Sequence, residues 1–224
     1  MSGPLVIGAL VSGRGSNLRS IIRATAEGRV PAHVSVVISN VAAAGALEIA
    51  RESGIEAVFL DPKSYPGRGA YDTALVEVLR SHGVELVALA GYMRLVGPAF
   101  LEAFPNRVLN IHPSLLPAFP GLNAQKKALE HGVKLAGCSV FFVDEGTDTG
   151  PIIIQAAVPV HEDDTVETLS DRILAEEHRI YPAAVRLLAE GRLRIEGRRV
   201  RVLPAPAAEG ASAAEGASAA EGAE

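Results

Sequence analysis

Short apolar runs alternate with amphipathic stretches along the first half of this 224-residue chain. The runs that have the length and apolar content of buried strands are Leu5–Val11, Val34–Ser39, Ala57–Leu60, Leu86–Leu89 and Val108–His112. The stretches between them that carry helical spacing are Leu18–Glu27, Ala42–Ser53 and Tyr71–His82. This alternation predicts a doubly wound, Rossmann-like α/β fold with a mostly parallel sheet, in which ligands bind beyond the carboxyl ends of the strands.

The pattern changes in the second half of the chain. Ala136–Val143 and Pro151–Ala157 are rich in β-formers, and the turn between them is short enough for antiparallel pairing. A similar hairpin is predicted near the C-terminal end, where Leu193–Ile195 and Val200–Leu203 flank Gly197. The sequence therefore predicts antiparallel strands near that end of the sheet.

One long helix is predicted from Val166 to Ala189. Asp164 and Glu167 stand at capping-box spacing before it, and Pro182 is expected to kink or divide it. The chain to residue 203 has the size of a single domain. From Ala208 onward it repeats alanine, glutamate, glycine and serine, and we expect residues 204–224 to be a disordered acidic tail.

Charge and composition restrict the classes of protein that fit. The tail carries four glutamates and no lysine or arginine, so it accounts for four of the five net negative charges. The nearly neutral body offers no electrostatic footprint for nucleic acid. No stretch reaches the roughly 20 apolar residues that span a bilayer. Cys138 stands alone, which excludes an intrachain disulfide and a cysteine-cluster metal site and is compatible with a reducing cytoplasm.

The segment from Asn110 to Pro117 combines polar chemistry with rigidity. Asn110 and His112 are two residues apart at the end of a predicted strand, so both side chains fall on one face. Pro113, Pro117 and Pro120 keep the following segment irregular, because proline neither donates to a ladder nor continues a helix. An amide and an imidazole placed in this way suit the polarisation of a carbonyl, although a capped strand end is the alternative.

A glycine-rich loop, Ser12–Asn17, follows the first predicted strand and opens the first helix. Glycines allow a tight turn, and the free N–H groups of a helix N-terminus attract an anion. Ser16 and Asn17 stand where the dinucleotide pattern wants its third glycine, so a phosphate monoester fits better than a dinucleotide. A tight turn with no ligand remains the alternative.

An acidic turn, Asp144–Pro151, joins two apolar strands. A carboxylate here can orient an imidazole or relay a proton, whereas an ordinary surface hairpin looks similar. Its spacing does not match a calcium loop, so no metal site is expected. Glu177, in the long helix, is typical of a solvated face, and Arg68 and Arg94 are isolated basic residues in loops.

Taken together, these segments resemble the phosphoribosylglycinamide formyltransferase family of folate-dependent enzymes. The matching segments are Ser12–Asn17, Ala90–Arg94, Asn110–Pro117, Gly121–Leu122, Asp148–Pro151 and Glu177–Pro182, in order from about Leu5 to Leu203. The resemblance implies that one Rossmann-like domain transfers the formyl group of 10-formyltetrahydrofolate, a cosubstrate, to the amine of glycinamide ribonucleotide. No permanently bound cofactor and no metal are implied, and the resemblance leaves monomer and homodimer open.

The resemblance also implies residue roles. Asn110, His112 and Asp148 are expected to be catalytic, and a cis bond is expected between Leu116 and Pro117. The residues expected to bind the ribonucleotide are Gly15, Ser16, Asn17 and Glu177. The residues expected to bind folate are Arg68, Met93, Arg94, Leu95, Val96, Asp144, Glu145, Gly146 and Thr147.

Related enzymes provide the rival interpretations. A methionyl-tRNA formyltransferase is expected to need a further C-terminal domain and a basic surface, and a formyltetrahydrofolate deformylase an N-terminal regulatory domain. A nucleotide- or folate-binding module without catalysis is the alternative from a different class. The chain departs from some relatives at Asn123–Lys127 and at Arg14, and the sequence assigns no role to either.

Overall fold

The computed structural model describes residues 3–205 and arranges the first five apolar runs as parallel strands at one side of a sheet. These strands are β1 (Leu5–Val11), β2 (Ala32–Ser39), β3 (Glu56–Phe59), β4 (Leu86–Leu89) and β5 (Val108–His112). Adjacent pairs β1–β2, β1–β4, β2–β3 and β4–β5 are all parallel. The apolar runs therefore predict these five strands correctly, with shifts of at most two residues at their ends.

Four further strands complete the described sheet: β6 (Leu135–Phe142), β7 (Ile152–Pro159), β8 (Leu193–Glu196) and β9 (Arg199–Val202). The strand order is β3-β2-β1-β4-β5-β6-β7-β9-β8. Both β5–β6 and β6–β7 are antiparallel, as is the terminal β8–β9 hairpin, whereas β9 runs parallel to β7. The predicted fold class is confirmed.

Helices cover both faces of the sheet: α1 (Ser16–Ala26), α2 (Gly45–Glu52), α3 (Arg68–Ser81), α4 (Pro98–Ala103), α5 (Ala124–Glu130) and α6 (Val166–Ala189). The short helices α4 and α5 were not predicted, because two turns or fewer give no clear period. Apolar residues of α1, α2 and α6 share one core with β1, and those of α3 and α4 form a second core on the opposite face.

For the long helix, the expected capping pair was wrong, and of the two effects expected of Pro182, the division of the helix is absent. The capping box consists of Thr165 and Thr168, because Thr165 has the extended N-cap backbone and accepts from the Thr168 N–H. Asp164 instead pairs with Arg172 at 2.7 Å and accepts from the His161 N–H. Pro182 does not divide α6, since buried residues on both sides of it pack on the sheet and hold one continuous helix.

The strand order reverses at β1, which lies between β2 and β4. In an open α/β sheet such a reversal creates a crevice beyond the carboxyl ends of the strands. The loops after β1 and β4 meet there, where the Ser12 N–H donates to the Gly91 carbonyl at 3.1 Å. The fold thus places the glycine-rich loop next to the loop that contains Met93 and Arg94.

Some sequence-based expectations fall beyond the described part of the chain. Residues 206–224, which make up nearly all of the expected acidic tail, lie outside it, so the division into residues 1–203 and 204–224 stays a prediction. Within residues 3–205, no helix has both the length and the apolar composition needed to cross a bilayer.

Candidate active site

Asn110 and His112 lie at the carboxyl end of β5, on the same face of the strand. Asn110 is half-buried, and only 6% of His112 is exposed. Both line a cavity of about 580 Å³ that opens beyond this edge of the sheet. The strand therefore presents an amide and an imidazole to one enclosed space, as their spacing predicts.

The two ring nitrogens of His112 have different partners. Nε2 lies 2.9 Å from the carbonyl oxygen of Phe119, in the proline-containing segment after β5. A carbonyl only accepts, so Nε2 carries a hydrogen. Nδ1 lies 3.3 Å from Oδ2 of Asp148. The ring is thus fixed, with Nδ1 as the nitrogen that faces the carboxylate.

Asp148 approaches His112 from the loop between β6 and β7. Its backbone has a φ of 54°, a left-handed conformation that aspartate tolerates better than most residues. Asp148 Oδ2 accepts a 2.8 Å hydrogen bond from the Gly121 N–H, so the carboxylate contacts both the imidazole and the segment that holds it. The acidic turn is therefore part of the site and not an ordinary surface hairpin.

Close backbone contacts fix the shape of this acidic loop. Asp144 Oδ1 accepts from the Gly146 N–H at 3.1 Å and from the Thr149 hydroxyl at 2.6 Å. A Cβ added at Gly150 would lie 1.7 Å from the Phe142 carbonyl oxygen, so only glycine fits there. These contacts connect the two ends of the loop and bring Gly150 against β6.

The rest of the cavity wall comes from the loop after β4 and from the acidic loop. The residues predicted for folate that line it are Met93, Arg94, Leu95, Val96, Asp144, Glu145, Gly146 and Thr147. Three apolar side chains at the wall are more than half exposed: Met93, Leu95 and Leu122. Exposed apolar residues around a cavity with a few polar groups are typical of a site for a small ligand.

Arg68 lies outside the lining of this cavity. It begins α3, and its Nε would be 3.5 Å from a Cβ added at Gly97. The Arg94 guanidinium lies 5.3 Å from the centre of the Tyr71 ring, which holds it against the second core. The structure therefore brings Arg94 to the cavity and leaves Arg68 beside it, so the folate role of Arg68 stays a prediction.

The glycine-rich loop has the geometry of an anion site. Gly15 has a φ of 83°, and a Cβ there would lie 2.7 Å from Cβ of Ala46. Both the backbone conformation and the close contact therefore require glycine at this position. α1 begins at Ser16 with no side-chain cap, which leaves its first N–H groups free for an anion. A second cavity of about 490 Å³ adjoins Ser16 and is also lined by Arg14, Arg19 and His178.

Asn17 and Glu177 are joined directly. The Asn17 side-chain amide donates a 2.7 Å hydrogen bond to Glu177 Oε2, and both residues are buried. Burial raises the pKa of the Glu177 carboxyl, although the Asn17 hydrogen bond opposes this shift. Asn17 Oδ1 and His178 Nε2 are buried atoms with no hydrogen-bond partner within residues 3–205. Unpartnered polar atoms of this kind at the anion end leave capacity for a polar ligand.

Sequence reasoning missed the groups that reach His112 and Asp148 through the backbone. The Phe119 carbonyl and the Gly121 N–H act through the main chain, so their side chains gave no signal. The sequence did contain a signal for the burial of Glu177. It lies four residues after Ile173 and three before Ile180, on the apolar stripe of α6 and not on a solvated face.

Within residues 3–205, no group of three or more histidine, cysteine, aspartate or glutamate side chains is arranged to hold a metal ion. Cys138 is buried, and burial raises the pKa of its thiol to about 12. A thiol in such surroundings is a poor nucleophile at neutral pH. At the end of β5 the cavity presents the Asn110 amide and the His112 imidazole, with the Asp148 carboxylate beside the ring.

The sequence pattern of the formyl transferase family matches residues 6–185. The chain therefore belongs to the formyl transferases. Among curated relatives, phosphoribosylglycinamide formyltransferase of Bacillus subtilis is 45% identical over 79% of this chain and 91% of its own length. The resemblance to that branch of the family, predicted from the motifs, is confirmed.

Solved structures agree with this placement. Glycinamide ribonucleotide transformylase 1 from Symbiobacterium toebii is 64% identical, with a TM-score of 0.89 over 89% of this chain and 94% of that one. A formyltetrahydrofolate deformylase from Pseudomonas syringae has a TM-score of 0.83 at 24% identity, which shows a shared fold alone.

Some curated relatives are much longer proteins. The bovine trifunctional purine biosynthetic protein adenosine-3 is 46% identical over 84% of this chain, which spans only 19% of that protein. The chain thus corresponds to 14–19% of the length of the trifunctional relatives and to 91% of the Bacillus subtilis enzyme.

Proposed function

We propose that this protein is a phosphoribosylglycinamide formyltransferase of purine biosynthesis. It transfers the formyl group of 10-formyltetrahydrofolate to the amine of glycinamide ribonucleotide and releases tetrahydrofolate. The observation that carries the proposal is the position of His112, held between the Phe119 carbonyl and Asp148 and beside Asn110 in one cavity. Membership of the formyl transferase family and the similarity to enzymes named for this reaction support it.

The folate donor occupies the larger cavity in this proposal. The apolar side chains of Met93, Leu95 and Leu122 offer contacts for its flat ring system, and the backbone of the acidic loop offers polar groups at its edge. 10-Formyltetrahydrofolate binds and leaves in each cycle, so it is a cosubstrate and not a resident cofactor.

The ribonucleotide phosphate binds at the start of α1. The free N–H groups after Gly15 and the guanidinium groups of Arg14 and Arg19 supply positive charge next to Ser16. Within residues 3–205 neither of these arginines forms an ion pair, so both are available to a dianion. Asn17, the last residue of this loop, and Glu177, which accepts its hydrogen bond from α6, contact the sugar or glycinamide part.

The reaction moves a formyl group between two nitrogens. The neutral amine attacks the formyl carbon, the new C–N bond forms, and a tetrahedral oxyanion results. Asn110 and Nδ1 of His112 donate hydrogen bonds to that oxygen, since Nε2 is already used by Phe119. Each such donor is typically worth about 3–4 kcal/mol in the transition state.

Collapse of the intermediate breaks the bond between the formyl carbon and N10 of the folate. The amine loses one proton and N10 gains one, so the exchange balances without an external acid or base. Asp148, 3.3 Å from His112, stabilises a proton on Nδ1 and is placed to carry the proton that the amine gives up. No covalent enzyme intermediate takes part.

Two other functions remain outcomes of the test. A deformylase would hydrolyse the donor without an acceptor, and a binding module would bind ligands without turnover. The geometry at His112 favours transfer chemistry over binding alone. We further propose a cytoplasmic enzyme that binds small molecules and not nucleic acid or membranes, active as a monomer or a homodimer.

The deciding experiment measures tetrahydrofolate formation from 10-formyltetrahydrofolate by absorbance, with and without glycinamide ribonucleotide. Formation that depends on the ribonucleotide supports the transferase. Formation in its absence identifies a deformylase. Absence of product in both samples, with the protein shown to be folded, identifies a binding module.

A further inference from the structure

Ser139, on β6, lies directly opposite His112 in the antiparallel register of β5 and β6. It is fully buried, with 0% of its surface exposed, and does not line the reaction cavity. A buried hydroxyl at this position requires partners. Each of its hydrogen-bond partners either belongs to the segment between Pro113 and Gly121 or is itself bonded to that segment, which contacts the imidazole.

The Ser139 hydroxyl uses its full hydrogen-bonding capacity. It donates to the Ser114 carbonyl at 2.7 Å and accepts from the Leu116 N–H at 3.0 Å. It also accepts a 2.8 Å hydrogen bond from the side-chain amide of Gln155, on β7. One donor and two acceptor sites are all that a hydroxyl offers, so the group is completely satisfied.

Gln155 completes the contact from the next strand. Its Nε2 also donates to the Leu116 carbonyl at 2.9 Å, so both amide hydrogens are used. Ser139 and Gln155 together therefore hold both backbone polar groups of Leu116 and the carbonyl of Ser114. We call these two side chains the loop clamp.

Packing reinforces the loop clamp at Gly137, two residues before Ser139 on the same face of β6. A Cβ at Gly137 would lie 2.8 Å from Leu115 Cδ2 and 2.0 Å from the Ala156 carbonyl oxygen. The absence of a side chain therefore lets the segment after β5 lie directly on β6.

From the clamped residues the segment continues to the groups that touch the catalytic pair. The Ser114 hydroxyl donates to the Ala118 carbonyl at 2.6 Å, and the next carbonyl, that of Phe119, accepts from His112 Nε2 at 2.9 Å. Two residues further, the Gly121 N–H donates to Asp148 at 2.8 Å. The same short segment thus contacts both side chains and fixes the positions of the imidazole and the carboxylate.

We infer that Ser139 and Gln155 are positioning residues for His112 and Asp148, acting through the backbone between Ser114 and Gly121. By fixing the Phe119 carbonyl against Nε2, they leave Nδ1 as the ring nitrogen that meets the reacting formyl group. The expected effect on kcat rests on the proposed function. The expected effect on the position of the imidazole rests on the geometry alone. Neither side chain touches substrate.

The kinetic test compares Ser139→Ala with Gln155→Met in the proposed transferase assay. A misplacement of about 1 Å can cost about 100-fold in rate, so we expect kcat to fall about 10- to 100-fold in Ser139→Ala. The partly exposed Gln155 supplies one of three contacts to the hydroxyl, so Gln155→Met should lower kcat by a smaller factor. KM for both substrates should change by less than about threefold, because neither substituted side chain lines the cavity.

Val140→Ala is the matched control. Val140 is equally buried and adjacent in β6, but its side chain lies in the core shared by α1, α2 and α6, so its truncation destabilises the strand without removing a polar contact. It should keep the kcat of the unaltered protein. If all three variants are folded and lose kcat equally, or none loses it, the positioning role is wrong. Should Ser139→Ala not fold, the comparison of Gln155→Met with Val140→Ala decides the question.

A second readout does not depend on turnover. The hydrogen on His112 Nε2 should give a slowly exchanging imidazole N–H signal in ¹H–¹⁵N spectra, assigned by its disappearance in His112→Ala. We expect the signal to exchange faster in Ser139→Ala and Gln155→Met and to persist in Val140→Ala. An unchanged signal in both clamp variants would overturn the role. If the unaltered protein lacks the proposed activity, this measurement still tests the clamp by itself.

Discussion

The side chains of Asn17 and Glu177 meet across 160 positions of sequence, through a buried 2.7 Å hydrogen bond from amide to carboxylate. Asn17 belongs to the first turn of α1, and Glu177 lies in the middle of α6. The bond therefore ties the proposed phosphate loop to the helix that packs beside it. It also places an ionisable group in surroundings that disfavour its charge.

The Glu177 carboxyl should make stability depend on pH. Burial raises its pKa in the folded state, so its folded form binds a proton more readily than its unfolded form. Its favourable contribution is complete below the pKa of the unfolded state and is lost as the pH rises through the folded value. The Glu177→Gln variant lacks this loss, so the unfolding free energy of the unaltered protein should fall relative to that of the variant as the pH rises.

Urea unfolding of both proteins from about pH 4 to pH 8 measures this difference. Glu52→Gln, at the exposed end of α2, is the control for a lost carboxylate. A constant difference between Glu177→Gln and the unaltered protein at every pH would contradict the prediction.

The catalytic assignment predicts large effects at two residues. His112→Ala removes the proposed donor to the oxyanion, and Asp148→Asn removes the carboxylate that lies 3.3 Å from Nδ1. Each should lower kcat by about 10²- to 10⁴-fold, the usual range for an acid–base group. KM for the ribonucleotide should change little, because the phosphate loop is untouched.

Steady-state kinetics with both substrates varied gives kcat and KM separately for these variants. His161→Ala alters an exposed histidine outside the cavity and should behave like the unaltered protein. Near-normal kcat in either catalytic variant would remove that residue from the mechanism.

The phosphate loop predicts the opposite kinetic pattern. Ser16→Glu puts a carboxylate where the proposed phosphate binds, so KM for glycinamide ribonucleotide should rise by at least about tenfold through repulsion of like charges. The effect should weaken at high salt, since exposed charges are screened. Thr73→Glu, on the exposed face of α3, adds the same charge elsewhere and serves as the control. An unchanged KM in Ser16→Glu would place the anion site elsewhere.

Gly15 should tolerate no side chain. Gly15→Ala would adopt a φ of 83° and bring its Cβ within 2.7 Å of Ala46 Cβ and 2.8 Å of Ala46 Cα. Left-handed strain alone costs about 1–3 kcal/mol, and the contact with α2 adds to it. We expect a lower urea midpoint and weaker ribonucleotide binding. Gly28→Ala has a similar φ of 69° but open space around it, so it separates strain from the contact. Equal losses in the two variants would show that the contact with Ala46 is unimportant.

Local apolar patterns determine most of the fold. β1, β4, β5 and α6 have the predicted bounds, because an apolar run or a 3.6-residue period marks each of them. The short helices α4 and α5 had no such signal and depend on packing against the rest of the chain. At the start of α6, Thr165 and not Asp164 became the cap, because Arg172 pairs with the aspartate.

The site was predictable where side chains carry the chemistry. The spacing of Asn110 and His112 placed both on one face, and their position at a strand end placed them at a crevice. The contacts that orient them were not predictable, because Phe119 and Gly121 contribute backbone atoms whose positions depend on the whole segment. The expected cis bond between Leu116 and Pro117 is present. The residue roles themselves stay predictions for mutagenesis.

Tyr181 links the core to the site and provides the last prediction. Its buried hydroxyl lies 3.1 Å from the Leu89 carbonyl and 3.0 Å from the Leu109 carbonyl, so it joins the ends of β4 and β5 one residue before Asn110. The hydroxyl has a single hydrogen, which the two carbonyls share, and Tyr181→Phe removes it, which should cost about 1–3 kcal/mol of unfolding free energy. We also expect a several-fold loss of kcat, because the peptide that orients Asn110 loses its anchor. Tyr65→Phe, outside the reaction cavity, should leave kcat unchanged. A stable Tyr181→Phe protein with normal kcat would show that the β4–β5 ladder alone positions Asn110.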